Sequence, residues 1–310
     1  MTRVHRARAW WYGPPQTAEA ARVRVVIATR RSALAMAQSR AVASALDAAG
    51  HEAPLLALTT TGDRWSLAGD GAPPPDLKGM FVKELEQALL DGRADIAVHS
   101  AKDLPGDLPP GLAVIATPPR EAPGDVLVGV SGGLGALGHG ARVGTTSPRR
   151  RAQMLAVRPD LHVVEVRGNV DTRLARLDAG EVDALVLASA GLVRLGIARD
   201  DVAPLPLDLY LPAPGQGIVA IEGREDDDAV REACAVLDDP SARACLLAER
   251  AFLARVGGGC SVPAGALCEV EGGTLRMRAW WGATGRAADL DGPIGDPVAL
   301  GIRAAEQVGA

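Results

Sequence analysis

Residues 94–105 of this 310-residue chain have the sequence ADIAVHSAKDLP, and the other predicted elements are arranged around them. The first part, residues 94–98, predicts a short buried strand, because small and β-branched residues follow a helix that ends near Asp91 and Gly92. The sequence then changes from apolar to polar within four residues. This change predicts a strand with functional groups at its carboxyl end.

Polar side chains occupy the end of this predicted strand. His99 and Ser100 supply hydrogen-bonding groups, and the neighbouring Lys102 and Asp103 predict a fixed ion pair. Pro105 has no backbone N–H and prevents a helix from forming here. Open α/β sheets bind ligands at the carboxyl ends of their strands, so one interpretation is a ligand site. The other is a solvated turn with a surface lysine–aspartate contact.

Strands and helices alternate on both sides of this stretch. The predicted elements before it are a strand at 23–29, a helix from the N-cap Ser32 to about Ala49, a strand at 54–60 and a helix at 81–90. This alternation predicts a parallel sheet with right-handed crossovers. The loop at 61–77 contains many glycines and prolines and predicts either a functional lid or a disordered segment.

The second half of the chain begins the alternation again and then changes in character. Strands are predicted at 112–117, 125–130, 142–145, 161–166, 184–188 and 218–221, and helices from 148, at 170–179, near 191–195, at about 226–237 and at 241–255. YLPAPGQG at 210–217 predicts a hinge. The tail, with two predicted strands and a helix near 297–308, indicates a small α+β domain after two α/β domains.

Composition limits the classes of function. The net charge of −5 and the aromatic content of 3% argue against nucleic-acid binding. The four cysteines show no C-x-x-C spacing, so no metal site is expected, and no apolar run reaches the roughly 18 residues of a membrane span.

Residues 1–21 lack the apolar core of a signal peptide and predict a mobile extension of a cytoplasmic protein. GLGALG at 133–138 matches a dinucleotide-binding pattern, but the next strand follows too soon for the required helix.

Arginines recur where predicted strands end and helices begin. The sequence TTSPRRR at 145–151 predicts a strand end, an N-cap and a helix start with proline in its first turn, which together form an anion site. Other arginines at such ends are Arg30, Arg167, Arg173 and Arg194. Each alone is compatible with a solvated surface side chain. Together they predict a cleft between two α/β domains that receives a polyanion, either phosphate or several carboxylates.

Cys260 follows three glycines, Gly257 to Gly259. Glycines allow the backbone to approach a ligand closely, so this thiol is a candidate for a reactive or derivatised group. The alternative is a small buried apolar residue, which is the usual role of a lone cysteine. No histidine lies near it in the sequence, so a cysteine–histidine hydrolase has no local support.

From about residue 23 to the final helix, the sequence resembles the hydroxymethylbilane synthases, also called porphobilinogen deaminases, of tetrapyrrole biosynthesis. The motifs that carry this resemblance are IATRRS at 27–32, TTGD at 60–63, FVKELEQALLDGRADIAVHSAKDLP at 81–105, VGTTSPRR at 143–150, RGNVDTRL at 167–174, AGLVRLG at 190–196, LPAPGQG at 211–217 and GGC at 258–260. The resemblance implies two periplasmic-binding-protein-like (type II) α/β domains plus a small C-terminal α+β domain. The implied boundaries are 22–117 plus 218–238, 118–217 and 239–310.

The resemblance also implies roles for individual residues. Cys260 corresponds to the thiol that holds a dipyrromethane cofactor through a thioether, and Asp103 corresponds to the catalytic carboxylate, with Lys102 beside it. Residues that match binders of the cofactor and substrate carboxylates are Arg30, Ser32, Lys102, Thr145, Ser147, Arg149, Arg150, Arg167, Arg173, Arg194 and Gln216. No metal is implied.

The implied activity is a transferase reaction of porphyrin and haem biosynthesis. Four porphobilinogen molecules each lose ammonia and are joined stepwise to the dipyrromethane, and water then releases hydroxymethylbilane. The implied enzyme is a cytoplasmic monomer that passes its product to the next tetrapyrrole enzyme. The competing class is a non-catalytic two-domain binder of an anionic small molecule, which would explain the arginines and the hinge but not the cysteine after three glycines.

Overall fold

The computed structural model describes residues 22–63, 79–257 and 262–310. The predicted N-terminal extension at 1–21, most of the predicted loop at 61–77 and the candidate attachment residue Cys260 lie outside the described residues.

The described strands form three sheets. In chain order they are β1 (Ile27–Arg30), β2 (Leu55–Leu58), β3 (Ile96–Ser100), β4 (Leu112–Ala116), β5 (Asp125–Val128), β6 (Arg142–Gly144), β7 (His162–Val164), β8 (Ala184–Ala188), β9 (Val202–Pro204), β10 (Val219–Arg224), β11 (Ala264–Glu271), β12 (Thr274–Trp281) and β13 (Arg286–Pro293). The helices are α1 (Ala33–Ala48), α2 (Gly79–Leu90), α3 (Pro148–Val157), α4 (Val170–Asp178), α5 (Ser189–Leu195), α6 (Asp228–Cys234), α7 (Pro240–Arg255) and α8 (Pro297–Val308). None of these helices is long and apolar enough to cross a bilayer.

The first two sheets share one topology. Their strand orders are β2-β1-β3-β10-β4 and β7-β6-β8-β5-β9. In each sheet four strands run in the same direction, and the fourth strand in the order, β10 or β5, runs antiparallel to both neighbours. That antiparallel strand is the one that arrives from the other sheet: the chain crosses from β4 to β5 and returns from β9 to β10. The predicted pair of α/β domains, with helices between parallel strands, is therefore confirmed.

The third sheet is a small antiparallel one. Strands β11, β12 and β13 pair in sequence order, and helices α7 and α8 pack against them around Phe252, Met277 and Leu300, all of which are fully buried. The sequence predicted two strands here and the structure has three. The additional hairpin forms because β12 pairs with a neighbour on each side, and these pairings bury alternate residues of β12.

Two differences from the predicted elements affect the site. Strand β3 continues to Ser100 instead of ending at Val98, because β10 pairs with its last residues, Ala220 with His99 and Val219 with Ser100. This partner is more than a hundred residues away in the sequence, so the local pattern could not indicate it. The edge strand β9 is only three residues long and ends in Pro204, and it was not predicted. We propose the domain boundaries given by the resemblance. The two crossings, at 117–124 and 205–218, contain the boundaries between residues 117 and 118 and between residues 217 and 218.

Candidate active site

One cleft lies between the first two sheets, and the end of the second crossing, from Gly215 to Ile218, forms part of its wall. Among the described residues, its basic lining residues are Arg30, Lys102, Arg150, Arg173 and Arg194. The carboxylates in the same lining are Asp103 and Asp171, and the neutral polar residues include Ser32, Gln38, Ser100, Asn169 and Gln216. Positive groups therefore outnumber negative ones in the described wall of the cleft, so it suits an anionic ligand.

A single 3₁₀ turn, Ala101–Asp103, positions the central pair of charged residues. It follows β3 directly, and the Ala101 backbone N–H donates to the Ile218 carbonyl at 3.0 Å. Gly215 lies against this turn with φ +76°, and a Cβ atom on it would be 3.0 Å from the backbone nitrogen of Lys102. Glycine is therefore required at 215 for both its conformation and its size. The second crossing thus packs directly against the turn that carries Lys102 and Asp103.

The predicted ion pair between Lys102 and Asp103 is wrong. Lys102 Nζ donates to Oε1 of Gln216 at 3.4 Å, and Asp103 forms no salt bridge within the described part of the chain. Burial lowers the pKa of Lys102 to about 8, and Arg150 contributes to the lowering while Asp103 opposes it. Nearness in the sequence therefore did not produce an ion pair, because Lys102 Nζ is bonded to Gln216 instead. Asp103 thus faces the cleft without an ion-pair partner among these residues.

Arg30 and Ser32 lie where β1 passes into α1. Ser32 is the predicted N-cap, and its hydroxyl accepts from the Ala35 N–H at 3.4 Å, which confirms the predicted helix start. The Arg30 guanidinium is 4.2 Å from the centre of the Phe81 ring and donates to Asp63 through two nitrogens, at 2.5 and 3.1 Å. Arg30 is therefore held against the wall of the cleft by a charge and a ring.

The predicted anion site at the start of α3 is used differently by its two arginines. Ser147 caps the helix, with its hydroxyl accepting from the Arg150 N–H at 3.4 Å, and Pro148 is in the first turn. Arg150 lines the cleft, whereas Arg149 is absent from the lining. Arg149 donates to the Leu211 carbonyl at 2.6 Å, to Gln153 at 3.1 Å and to Asp125 at 2.8 Å, so its guanidinium is bound within the protein.

The remaining predicted residues divide in the same way. Arg173 and Arg194 line the cleft; burial lowers the pKa of each to about 10, and for Arg173 the charge of Arg150 adds to the effect. Arg194 donates to the Gly217 carbonyl at 2.6 Å, which ties helix α5 to the second crossing. Thr145, Ser147 and Arg167 are not part of the lining: the Thr145 hydroxyl accepts from the Ser147 N–H, and Arg167 forms a salt bridge with Glu165 at 3.0 Å.

Sequence reasoning missed Asp125, which is 1% exposed and accepts from Arg149, Arg150 and Gln216. Burial would raise the pKa of this carboxyl, but the charges of Arg149 and Arg150 hold it well below its usual range. The available signal was a charged residue opening an apolar run, DVLV at 125–128, because a buried carboxylate requires buried cations.

Comparisons with known proteins identify the family of this chain. The family model described as porphobilinogen deaminase, dipyromethane cofactor binding domain, matches residues 25–232, and that of the C-terminal domain of the same deaminase matches residues 243–309. The porphobilinogen deaminase of Roseiflexus castenholzii is 47% identical over 295 residues, which cover 92% of this chain and 95% of that protein. That of Thermus thermophilus is 44% identical over 292 residues, with coverage of 92% and 95%.

Similarity to solved structures is weaker. The methionine binding protein MetQ superposes with a TM-score of 0.41 at 12% identity, covering 72% of this chain and 93% of that one, and nothing about function is inferred from it. The sequence relatives, by contrast, are close and cover almost all of the chain. The chain therefore belongs to the porphobilinogen deaminase family, whose members are transferases.

Proposed function

We propose that this chain joins four porphobilinogen molecules, with loss of ammonia at each step, onto a dipyrromethane attached to Cys260, and then releases hydroxymethylbilane by hydrolysis. The observation that carries the proposal is the cleft itself, in which Asp103 faces a ligand space surrounded by Arg30, Lys102, Arg150, Arg173 and Arg194. A pyrrole with acetate and propionate groups needs cations for its carboxylates and one anion for its ring nitrogen.

The charge of the cleft fits the cofactor. Each of the two dipyrromethane rings bears two carboxylates, and the described lining has five basic groups against two carboxylates. The pKa values of Lys102, Arg173 and Arg194 are lowered, because nearby protein carboxylates offset only part of the cost of burying these charges. A bound polycarboxylate would offset more of it. When bound, the dipyrromethane would supply the pyrrole α-carbon to which the first porphobilinogen is joined.

The neighbours of Cys260 in the chain support its role. The helix before it, α7, ends at Arg255, and the strand after it, β11, begins at Ala264. The N–H of Ala266 in this strand donates to the Pro212 carbonyl at 2.9 Å, and Gly265 lies against Leu211. Strand β11, which begins shortly after Cys260 in the chain, is therefore bound to the same crossing that carries Gln216 into the cleft.

Asp103 is the group we propose for the chemistry. Its carboxylate accepts hydrogen bonds from pyrrole N–H groups and stabilises the positive charge that develops on the substrate ring as ammonia leaves. Its oxygens also carry protons, to the departing amine and from the ring carbon that forms the new bond. Lys102, with a pKa of about 8, is mainly protonated at neutral pH and adds a positive charge to the site. The lining arginines orient the acetate and propionate groups.

A non-catalytic binder of an anionic small molecule would also use these arginines. The two possibilities differ at Cys260, because a binder has no need of a covalently held primer. We retain the cytoplasmic location, the monomeric state and transfer of the product to the next enzyme as predictions from the sequence.

The mass of the purified protein tests the proposal. The wild type should carry the mass of two linked pyrroles on the peptide that contains Cys260, and it should release hydroxymethylbilane and ammonia from porphobilinogen. Cys260→Ser should fold, carry no added mass and show no turnover. Cys234→Ala, which changes a buried thiol of the first domain, serves as the matched control and should keep the added mass. Added mass on another cysteine would refute the assignment to Cys260, and no added mass together with reversible porphobilinogen binding would favour the binder.

A further inference from the structure

Asp125 is a fully buried carboxylate that contacts residues of the cleft wall. It is the first residue of β5, directly after the first crossing, and is 1% exposed. One oxygen, Oδ1, accepts from Arg150 at 2.7 Å and from Gln216 at 2.8 Å, and the other, Oδ2, accepts from Arg149 at 2.8 Å. Three side chains from a helix and a crossing therefore converge on one carboxylate.

Two of these partners face the cleft. Arg150 and Gln216 both belong to its lining, and Gln216 also accepts from Lys102 Nζ. A continuous series of hydrogen bonds therefore runs from Arg150 through Asp125 and Gln216 to Lys102. It joins the second sheet, through β5 and α3, to the first sheet, through the turn after β3.

Asp125 compensates the buried positive charges of Arg149 and Arg150. The Nε atoms of Arg149 and Arg150 are buried and have no hydrogen-bond partner among the described residues. The only carboxylate bonded to either guanidinium there is Asp125, so it alone opposes their mutual repulsion by direct contact. One of the two positive charges is in effect neutralised, and the other remains for a ligand.

Building on the proposed function, we propose that Asp125 is a positioning residue for the condensation. It holds Arg150 of α3 and Gln216 of the second crossing in place, and through Gln216 it positions the side chain of Lys102, next to Asp103. Asp125 itself touches no substrate, since it is absent from the lining. Arg149 donates to Oδ2 of Asp125 and holds this carboxylate in place from outside the cleft. This role is separate from carboxylate binding, which belongs to the arginines that line the cleft.

The test compares Asp125→Asn with Asp160→Asn. Asp160 also receives two bonds from one arginine, Arg158, both at 2.7 Å, but it lies outside the cleft lining. We expect Asp125→Asn to lower kcat/KM for porphobilinogen about 10- to 100-fold, which is the effect of losing one charge-assisted hydrogen bond. Asp160→Asn should stay within about threefold of wild type.

A second readout does not depend on turnover. The neutral form of Lys102 reacts with an acylating reagent, and peptide mass spectrometry gives the rate. Asp125 raises the pKa of Lys102 by its charge, and Gln216 restrains Nζ, so Asp125→Asn should speed labelling of Lys102 at pH 7 severalfold. Asp160→Asn should leave the rate unchanged. This measurement distinguishes failure of the positioning role from failure of the proposed function, because an inactive wild type would still label.

A double variant separates positioning from simple charge balance. Asp125→Asn leaves two buried guanidinium groups facing each other, so the single variant should melt at a lower temperature or fail to fold. Adding Arg149→Met removes that repulsion and should restore the melting temperature. If Asp125 positions the cleft, the double variant keeps a low kcat/KM although its stability is restored; its Lys102 labelling should slow again, because loss of the Arg149 charge raises the Lys102 pKa. Recovery of wild-type activity together with stability would overturn the proposal, as would an Asp125→Asn enzyme indistinguishable from Asp160→Asn in labelling and activity.

Discussion

Lys102 makes the stability of this protein depend on pH in a calculable way. Burial lowers its pKa in the folded protein from 10.5 to about 8. Below pH 8 the lysine is protonated in both the folded and the unfolded chain, and folding bears the full cost of burying the charge. Between pH 8 and 10.5 the unfolded chain binds more protons, so the contribution of Lys102 to stability rises with pH. Above 10.5 the lysine is neutral in both states and the cost disappears.

The size of this effect follows from the pKa difference. A shift from 10.5 to about 8 corresponds to about 3 kcal/mol at 1.36 kcal/mol per unit. Replacing Lys102 by methionine, which has a similar length and no charge, should therefore stabilise the protein by up to about 3 kcal/mol at pH 7. The gain should shrink to nearly zero as the pH approaches 10.5.

Urea unfolding at several pH values between 7 and 10.5 measures the difference. Both proteins should carry Cys260→Ser, so that no pyrrole occupies the cleft. Other groups that titrate in this range are common to both proteins and cancel in the comparison. Lys83→Met, which replaces an exposed lysine of α2, is the control and should show no such trend. A Lys102→Met protein whose stability difference from wild type does not change with pH would refute the reasoning.

Other substitutions separate chemistry from architecture. Asp103→Asn keeps the shape but loses the charge, so steady-state release of hydroxymethylbilane should fall at least 10²-fold with an unchanged circular dichroism spectrum; a folded variant within tenfold of wild type would make Asp103 a structural residue only. Arg194→Leu should stall elongation, and native mass spectrometry should detect accumulated enzyme-bound pyrrole chains; turnover at the wild-type rate without such species would contradict this. Arg149→Leu should lower the free energy of unfolding by about 1.5–3 kcal/mol, since one charged partner of Asp125 is lost; unchanged urea unfolding would show that this contact contributes little.

Local signals in the sequence determined many of the elements. Ser32 and Ser147 cap α1 and α3 as predicted, because a serine side chain replaces the missing partner of a first-turn N–H. Strand β8 and helix α8 have the predicted bounds, since one is a buried apolar run and the other begins at a proline. The excess of arginines at element ends also indicated an anionic ligand, because guanidinium groups match the geometry of carboxylates and phosphates.

Tertiary structure alone decided how those residues are used. Nothing in the sequence separates Arg149 from Arg150, and both bind Asp125, yet only Arg150 lines the cleft, because neighbours on a helix point about 100° apart. Lys102 lies next to Asp103 in the chain but bonds to Gln216, and Asp125 meets its partners only when both crossings come together. Caps and apolar periodicity act over a few residues and can be read from the sequence. Ion pairs between distant segments depend on the packing of the two sheets, which local sequence patterns do not encode.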